Sequence, residues 1–282
     1  MTNDPPAPGI YYGVPAETYH SWNALSHSWL SRLRQSPAHL KDLMENGSDE
    51  SSPAQDFGTA VHCAVLEYST FDDRYAIRPE GVSGATKEGR TFKAAAEAEG
   101  KIILSAQDGR WCRAITRRAL LHRRLSEWFC HDFQTEVSLS WLRDGYACRA
   151  RCDLVIPALH IIADLKTTVT ASPDGFARQI ARYHYHTQGA WYADGMKRLT
   201  GDDWTFWIPA VEKKRPFLVS LYELAPGSTA QGMAISECDT LFDRYKQCCS
   251  SREWPGYGDT FQIELPEWAL QEAATEVDEP FE

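Results

Sequence analysis

Residues 152–168 read CDLVIPALHIIADLKTT, and this stretch decides the fold class. Asp153 heads one apolar, β-branched run, LVI. After a short turn a second run, HIIADLK, carries Asp164 and, two residues on, Lys166. Such runs, bounded by a proline turn, read as successive strands. On the second strand a period of two places Asp164 and Lys166 on one face and Ala163 and Leu165 on the other. Charges at the end of an apolar strand are costly to desolvate unless they have partners. A divalent cation is such a partner, and a cation beside a lysine is the equipment for phosphodiester chemistry.

Upstream, Thr135 to Leu142 alternates, with Val137, Leu139 and Trp141 on one face and Glu136, Ser138 and Ser140 on the other. Arg143-Asp144-Gly145 reads as a hairpin turn. Tyr146 to Ile156 returns with Tyr146, Cys148, Ala150, Cys152, Leu154 and Ile156 on one face and Arg149, Arg151 and Asp153 on the other. Strands 134–142, 146–156 and 160–167 thus present one polar face bearing Glu136, Asp153, Asp164 and Lys166. The alternative is an ordinary half-exposed sheet, but the flanks of Asp164 are too apolar for an open edge. Downstream, Ser172-Pro173-Asp174 opens a long helix, about 173–199, with Gln188 and Tyr192 four apart and Tyr185 beside them. Strands at 204–208 and 217–222 follow, joined by the basic loop 212–216. A final helix covers about 227–250, and the loop after it has anchors at Trp254 and Trp268. Strands, then a helix, then strands make an α/β class: a mixed central sheet flanked by helices.

The N-terminal part reads as mostly helical. Residues 1–8 are expected to be disordered, and ordered structure to begin at Gly9-Ile10-Tyr11-Tyr12. Ser26 caps one helix, and Ser36-Pro37 opens another that Gly47 ends. Residues 46–55 read as a flexible loop and 56–67 as a compact apolar helix on which Gly58 and His62 share a face. His62 by itself reads first as a hydrogen-bonded core histidine. Residues 79–92 read as a mobile loop, with helices at about 91–99 and 106–131. The latter carries Arg110, Arg113, Arg117, Arg118, Arg123 and Arg124, either a solvated face or a phosphate-contacting one. The organisation expected is a single domain over 9–270, helical over 9–131 with an α/β core over 132–270, then an acidic tail at 271–282.

The 282 residues, 43% of them apolar, suffice for a large core. No apolar run approaches the ~18–20 residues of a membrane span, and MTNDPPAPG lacks the pattern of a signal peptide, so a cytoplasmic location is expected. The eight cysteines include no C-x-x-C pair and read as free buried thiols, with an iron–sulfur cluster as the rival. A net charge of −10 disfavours a general nucleic-acid binder but allows an enzyme whose positive charge is confined to one channel.

An acid, a short strand connection and then Asp-x-Lys resembles the PD-(D/E)xK nuclease superfamily. Gly58-Thr59-Ala60-x-His62-x4-Glu67 and Gln188-x3-Tyr192 resemble motifs of its RecB-like branch. Gly9-Ile10-Tyr11-Tyr12, the Ser26 helix, Ser36-Pro37-Ala38, Asp164-Leu165-Lys166-Thr167-Thr168, Tyr183-His184-Tyr185-His186-x-Gln188 and Glu253-Trp254-Pro255 resemble, in order, the RecE (exodeoxyribonuclease VIII) exonucleases of phages and prophages. One departure is Cys152 where the superfamily has proline before its first acid. The resemblance implies a catalytic domain that digests one strand of linear duplex DNA 5′→3′, leaving 3′ single-stranded tails for a RecT-like annealing protein. It also implies a homo-oligomeric ring around DNA. By the same resemblance His62, Asp153, Asp164 and the Leu165 carbonyl hold one or two Mg²⁺, with Mn²⁺ able to substitute. Lys166 orients or deprotonates water, and Glu136 supports a second metal or a water. Gln188 and Tyr192 position the scissile phosphate or the catalytic strand, and Arg149, Arg151, Thr167 and Tyr185 contact DNA. The alternatives are a Cas4-like single-strand nuclease, an endonuclease on the same core, and a DNA-binding module with a decayed site.

Overall fold

The computed structural model describes residues 3–47, 53–258, 260, 262–264 and 267. The chain begins with β1 (Gly9–Tyr11), α1 (Ala16–Ser21), α2 (His27–Gln35), α3 (Pro37–Asn46) and α4 (Pro53–Leu66). Then come α5 (Phe71–Arg74), β2 (Tyr75–Ile77), α6 (Lys87–Ala98), β3 (Ile102–Leu104), α7 (Ala106–Leu121) and α8 (Arg123–Trp128). The second half holds β4 (Gln134–Arg143), β5 (Tyr146–Ile156), β6 (Ile161–Ala163), β7 (Lys166–Thr168), α9 (Pro173–Tyr183) and α10 (Tyr185–Thr200). It ends with β8 (Thr205–Glu212), β9 (Val219–Leu224) and α11 (Thr229–Ser251).

The main sheet runs β1-β4-β5-β6-β8-β7, with β9 on the other side of β8. β4–β5 and β5–β6 are antiparallel, whereas β6 and β7 both pair parallel to β8, at Ile161↔Thr205 and Lys166↔Ala210. The fold is therefore the mixed sheet flanked by helices that the strand pattern announces. Two cores cover its faces. α2, α3, α10 and α11 pack on Val137, Leu139, Trp141, Cys148, Cys152, Phe206 and Ile208. α4, α7 and α8 pack on Leu154, Ile156, Ala163, Leu165, Trp207 and Val211.

Several expectations are corrected. The strand expected over 160–167 is two, β6 and β7, in one lane beside β8. Between them the Asp164 amide bonds the Trp207 carbonyl, and the Leu165 amide bonds the Asp153 side chain. Side-chain alternation survives the break: Ala163 and Leu165 lie in the α4 core, with Asp164 and Lys166 opposite. Alternation fails instead on β5, where Leu154 and Ile156 join the α4 core and not the face of Cys148 and Cys152. The slip lies across from Glu136, whose φ of 53° bends β4 between the pairs Thr135↔Leu154 and Val137↔Cys152. Such local distortions re-aim side chains beside sites.

The long helix expected over 173–199 is broken at His184, which takes a left-handed conformation (φ 55°) between α9 and α10. The helix expected over 106–131 is broken at His122 into α7 and α8. Residues 87–92, expected in a mobile loop, form the start of α6, where the Thr86 hydroxyl accepts from the Gly89 amide. The short parallel pair β2–β3 had no signal in the pattern. Over its described part the lead-in expected to be disordered packs down: Asn3 bridges to Trp22, and the Ser140 hydroxyl donates to the Pro6 carbonyl. Of the loop expected at 46–55, Asn46 closes α3 and residues 53–55 open α4, while residues 48–52 lie outside the described residues, as do Trp268 and the tail 271–282.

Candidate active site

An open cleft of about 600 Å³ lies between α4, β4, β7 and the start of α10, lined by Gly58, His62, Glu136, Lys166, Thr167 and Tyr185 among others. Asp153 and Asp164 stand behind that lining, each bonded to a residue of it. The kink at Glu136 turns Asp153 toward α4, and the interruption between β6 and β7 leaves room for its carboxylate inside the sheet. Asp153 Oδ2 accepts from the Leu165 amide at 2.9 Å and lies 3.1 Å from His62 Nδ1. Asp164, only 3% exposed, accepts from Gln188 Nε2 at 2.6 Å through Oδ1 and pairs with the Lys166 ammonium through Oδ2. Lys166 Nζ sits over the Tyr185 ring, 4.9 Å from its centroid.

The electrostatics follow from two carboxylates sharing a desolvated space. Burial, and then the negative charge of Asp153, push the Asp164 carboxyl up to about 6 despite Lys166. Burial works the same way on Asp153, but His62, Lys166 and the Leu165 amide outweigh it and its pKa falls. The same partners act in reverse on the bases. Burial disfavours the His62 imidazolium and the Lys166 ammonium, yet Asp153 and Asp164 raise both pKa values. Glu136 is raised by burial and by Asp153, although Arg151 Nε holds its carboxylate at 2.6 Å.

The structure thus brings together His62, Glu136, Asp153, Asp164, Leu165, Lys166, Thr167, Tyr185 and Gln188. Tyr192 stands one step further back, its hydroxyl accepting from Gln188 Nε2 at 3.0 Å. Gln188 and Tyr192 are both buried and face Asp164, not the open cleft, which makes them supports of that carboxylate. Arg149 is corrected outright. It is 5% exposed, and its guanidinium donates to the carbonyls of Tyr19 and His20, clamping α1 onto the sheet. Arg151 is held between Glu136 and the Val14 carbonyl. A Cβ on Gly58 would meet only Thr167 Oγ1, at 3.5 Å, an ordinary contact.

Several lining groups escaped the sequence reading as site residues, Cys63, Glu67, Arg74 and Lys213 among them. Glu67 is paired with Arg74 at 2.7 Å on the cleft wall, and Lys213 reaches the cleft from the β8–β9 loop. The basic loop was a signal for Lys213; nothing marked Arg74. Among the described residues His184, His186 and Glu237 also gather, their donor atoms within 4.8 Å of one another. Arg34 Nε lies 2.6 Å from that glutamate and already supplies the neighbouring positive charge, so the cluster ties the α9–α10 elbow to α2 and α11.

Residues 26–264 match the family described as a PDDEXK-like domain of unknown function (DUF3799), which spans most of the chain and both carboxylates. The chain belongs to this PDDEXK-like family. No curated protein matches the chain. A crystal structure from Eubacterium rectale named "Putative exonuclease" superposes with a TM-score of 0.62 at 16% identity, over 94% of this chain and 99% of that one. That likeness is one of fold. The structure of SSO0001 aligns over 79% of this chain and 76% of that one at 11% identity, with a TM-score of 0.39, too low to bear on the PDDEXK-like fold.

Proposed function

We propose that the chain is a Mg²⁺-dependent nuclease that digests one strand of linear duplex DNA 5′→3′, leaving 3′ single-stranded tails. The observation that carries the hydrolytic reading is the convergence of Asp153, Asp164 and Lys166 behind one open cleft. The RecE-type polarity, the ring and the RecT-like annealing partner rest on the sequence resemblance. The exonuclease name of the Eubacterium rectale neighbour agrees with it.

The donor set suits the metal. Asp153 and Asp164 offer hard carboxylate oxygens in one buried space, where burial and then the Asp153 charge raise the Asp164 pKa, a cost that a bound cation would offset. Asp153, Asp164 and the Leu165 carbonyl would hold Mg²⁺ or Mn²⁺, with His62 beside them. Bound there, the metal would supply charge stabilisation at the phosphate and its leaving oxygen.

The chain's own groups do the rest. Facing two carboxylates, Lys166 enters as an ammonium and orients water and phosphate oxygens by donation. Neutralising those carboxylates lowers its pKa toward that of a base able to take a water proton at Nζ. His62 fixes the Asp153 carboxylate, and Gln188, held by Tyr192, fixes that of Asp164. Glu136 stands at the cleft edge to receive a second cation or a water. Tyr185 and Thr167 line the cleft wall, from which they would contact a phosphodiester held there.

The test is degradation of linear duplex DNA labelled separately at its 5′ and 3′ ends, with a closed circle as control. Early release of 5′ label with the circle intact is expected. Cutting of the circle would make the protein an endonuclease, and inertness with both Mg²⁺ and Mn²⁺ would leave a binding module.

A further inference from the structure

Beside the cleft lies an open groove of about 720 Å³, lined by Arg113, Arg117, Arg118 and Leu121 of α7 and by Arg215 and Phe217 of the β8–β9 loop. Elsewhere on α7 and α8 the arginines have partners: Arg110 pairs with Glu80, Arg123 with Glu127, and Arg124 stacks on Trp207. Among the described residues the four groove arginines make no ion pair and stand exposed. Arg113 and Arg117 are four apart, a like-charge spacing that is unfavourable on a helix. In a chain of net charge −10, four uncompensated guanidinium groups around one groove are a local reversal of sign.

The groove also continues the cleft. The β8–β9 loop places Lys213 in the cleft and Arg215, two residues on, in the groove; two residues of chain reach at most ~7 Å. That loop is anchored, not free. The Lys213 amide bonds the Thr168 carbonyl at 2.9 Å, and Phe217 is buried against Trp111. The nearby acid, Glu212, accepts from the amides of Ala171 and Leu218 and forms no ion pair with Lys213 or Arg215 among the described residues. A line of cations therefore runs from Lys166 through Lys213 and Arg215 to the arginines of α7. Guanidinium forks match phosphate oxygens in geometry and charge.

We infer that this arginine groove is a second nucleic-acid site, holding the sugar–phosphate backbone of the duplex whose end enters the cleft. It rests on the nuclease reading for the identity of that duplex, but its binding is measurable without cleavage. The experiment is fluorescence anisotropy of a labelled duplex in Ca²⁺, over a salt series, with the full chain. The proteins are wild type, Arg113→Gln/Arg117→Gln/Arg118→Gln, Arg215→Gln, and Arg123→Gln as a control outside the groove. The triple variant should bind ~10-fold more weakly or worse and lose about 3 from the slope of log K against log salt, and Arg215→Gln about 1. The control should match wild type, and circular dichroism melts should be unchanged because these side chains are exposed. A triple variant with the wild-type slope overturns the inference while leaving the nuclease reading intact if duplex is still degraded. A wild type that binds through these arginines but degrades nothing sinks the nuclease reading and keeps the groove. A triple variant that changes oligomeric state in sedimentation, with its salt slope retained, assigns the groove to a second copy of the chain and overturns the inference.

Discussion

On the proposed nuclease reading, Asp164 is the residue on which most of the chemistry turns. Asp164→Ala should abolish cleavage while duplex binding in Ca²⁺ persists; full activity in that variant would mean the site lies elsewhere. Its raised pKa sets a pH dependence. Because the folded-state value, about 6, exceeds the ordinary carboxylate value, the proton is retained to higher pH, and the metal-free fold loses stability from this group as pH rises from about 4 to about 6. A metal must displace that proton. Below about pH 6 the apparent Mg²⁺ affinity, read as the Mg²⁺-induced rise in melting temperature, should therefore fall up to ~10-fold per pH unit. Gln188→Ala removes the donor at 2.6 Å from Asp164 and strips the partner from the Tyr192 hydroxyl. It should raise the Mg²⁺ concentration needed for half activity by ~10–100-fold. A purely structural glutamine would instead lower the melting temperature without moving the Mg²⁺ titration.

Two interruptions decide the elements. The gap between β6 and β7 admits the Asp153 carboxylate where a ladder bond would otherwise run, and the break at His184 swings Tyr185 over Lys166 and Gln188 onto Asp164. α10 can lie close enough to β8 for this only because residue 189 has no side chain; a Cβ there would meet the Phe206 ring at 2.3 Å. Gly189→Ala should thus cost ~1–3 kcal/mol in denaturant unfolding and, by pushing Gln188 back, reduce turnover more than duplex binding. An equal loss of both would mean that α10 does not position the site. Neither interruption was legible locally. HIIADLK alternates through its break without a fault, and Tyr183-His184-Tyr185 contains no glycine or proline to announce the turn.

For the molecule as a whole, the N-terminal segment is part of the nuclease-like core and not a prelude to it. Arg149 ties α1 to the sheet by its bonds to Tyr19 and His20, and its carbonyl accepts from Trp191 on the opposite face. Arg149→Leu should lower stability by ~1–3 kcal/mol through the carbonyls left unpaired. The salt slope of duplex binding should be unchanged, whereas a phosphate-gripping Arg149 would shift it by about 1. The distinction between Arg149 and Arg113 is one that only burial makes, since both are arginines in periodic segments of a chain with net charge −10.

The sequence by itself determined the hairpin that leads to Asp153, the shared face of Asp164 and Lys166, and the helical setting of His62 and Gln188. Those depend on local hydrophobic period and on side chains a few residues apart, which short-range sterics and burial enforce wherever the segment packs. Only the tertiary structure decided which way Asp153 points, where the long helix breaks, that Arg149 is a clamp, and that the arginines of α7 meet Arg215 across a groove. Each of these depends on contacts between residues distant in the chain, whose energies outweigh the local preferences of the segments that carry them.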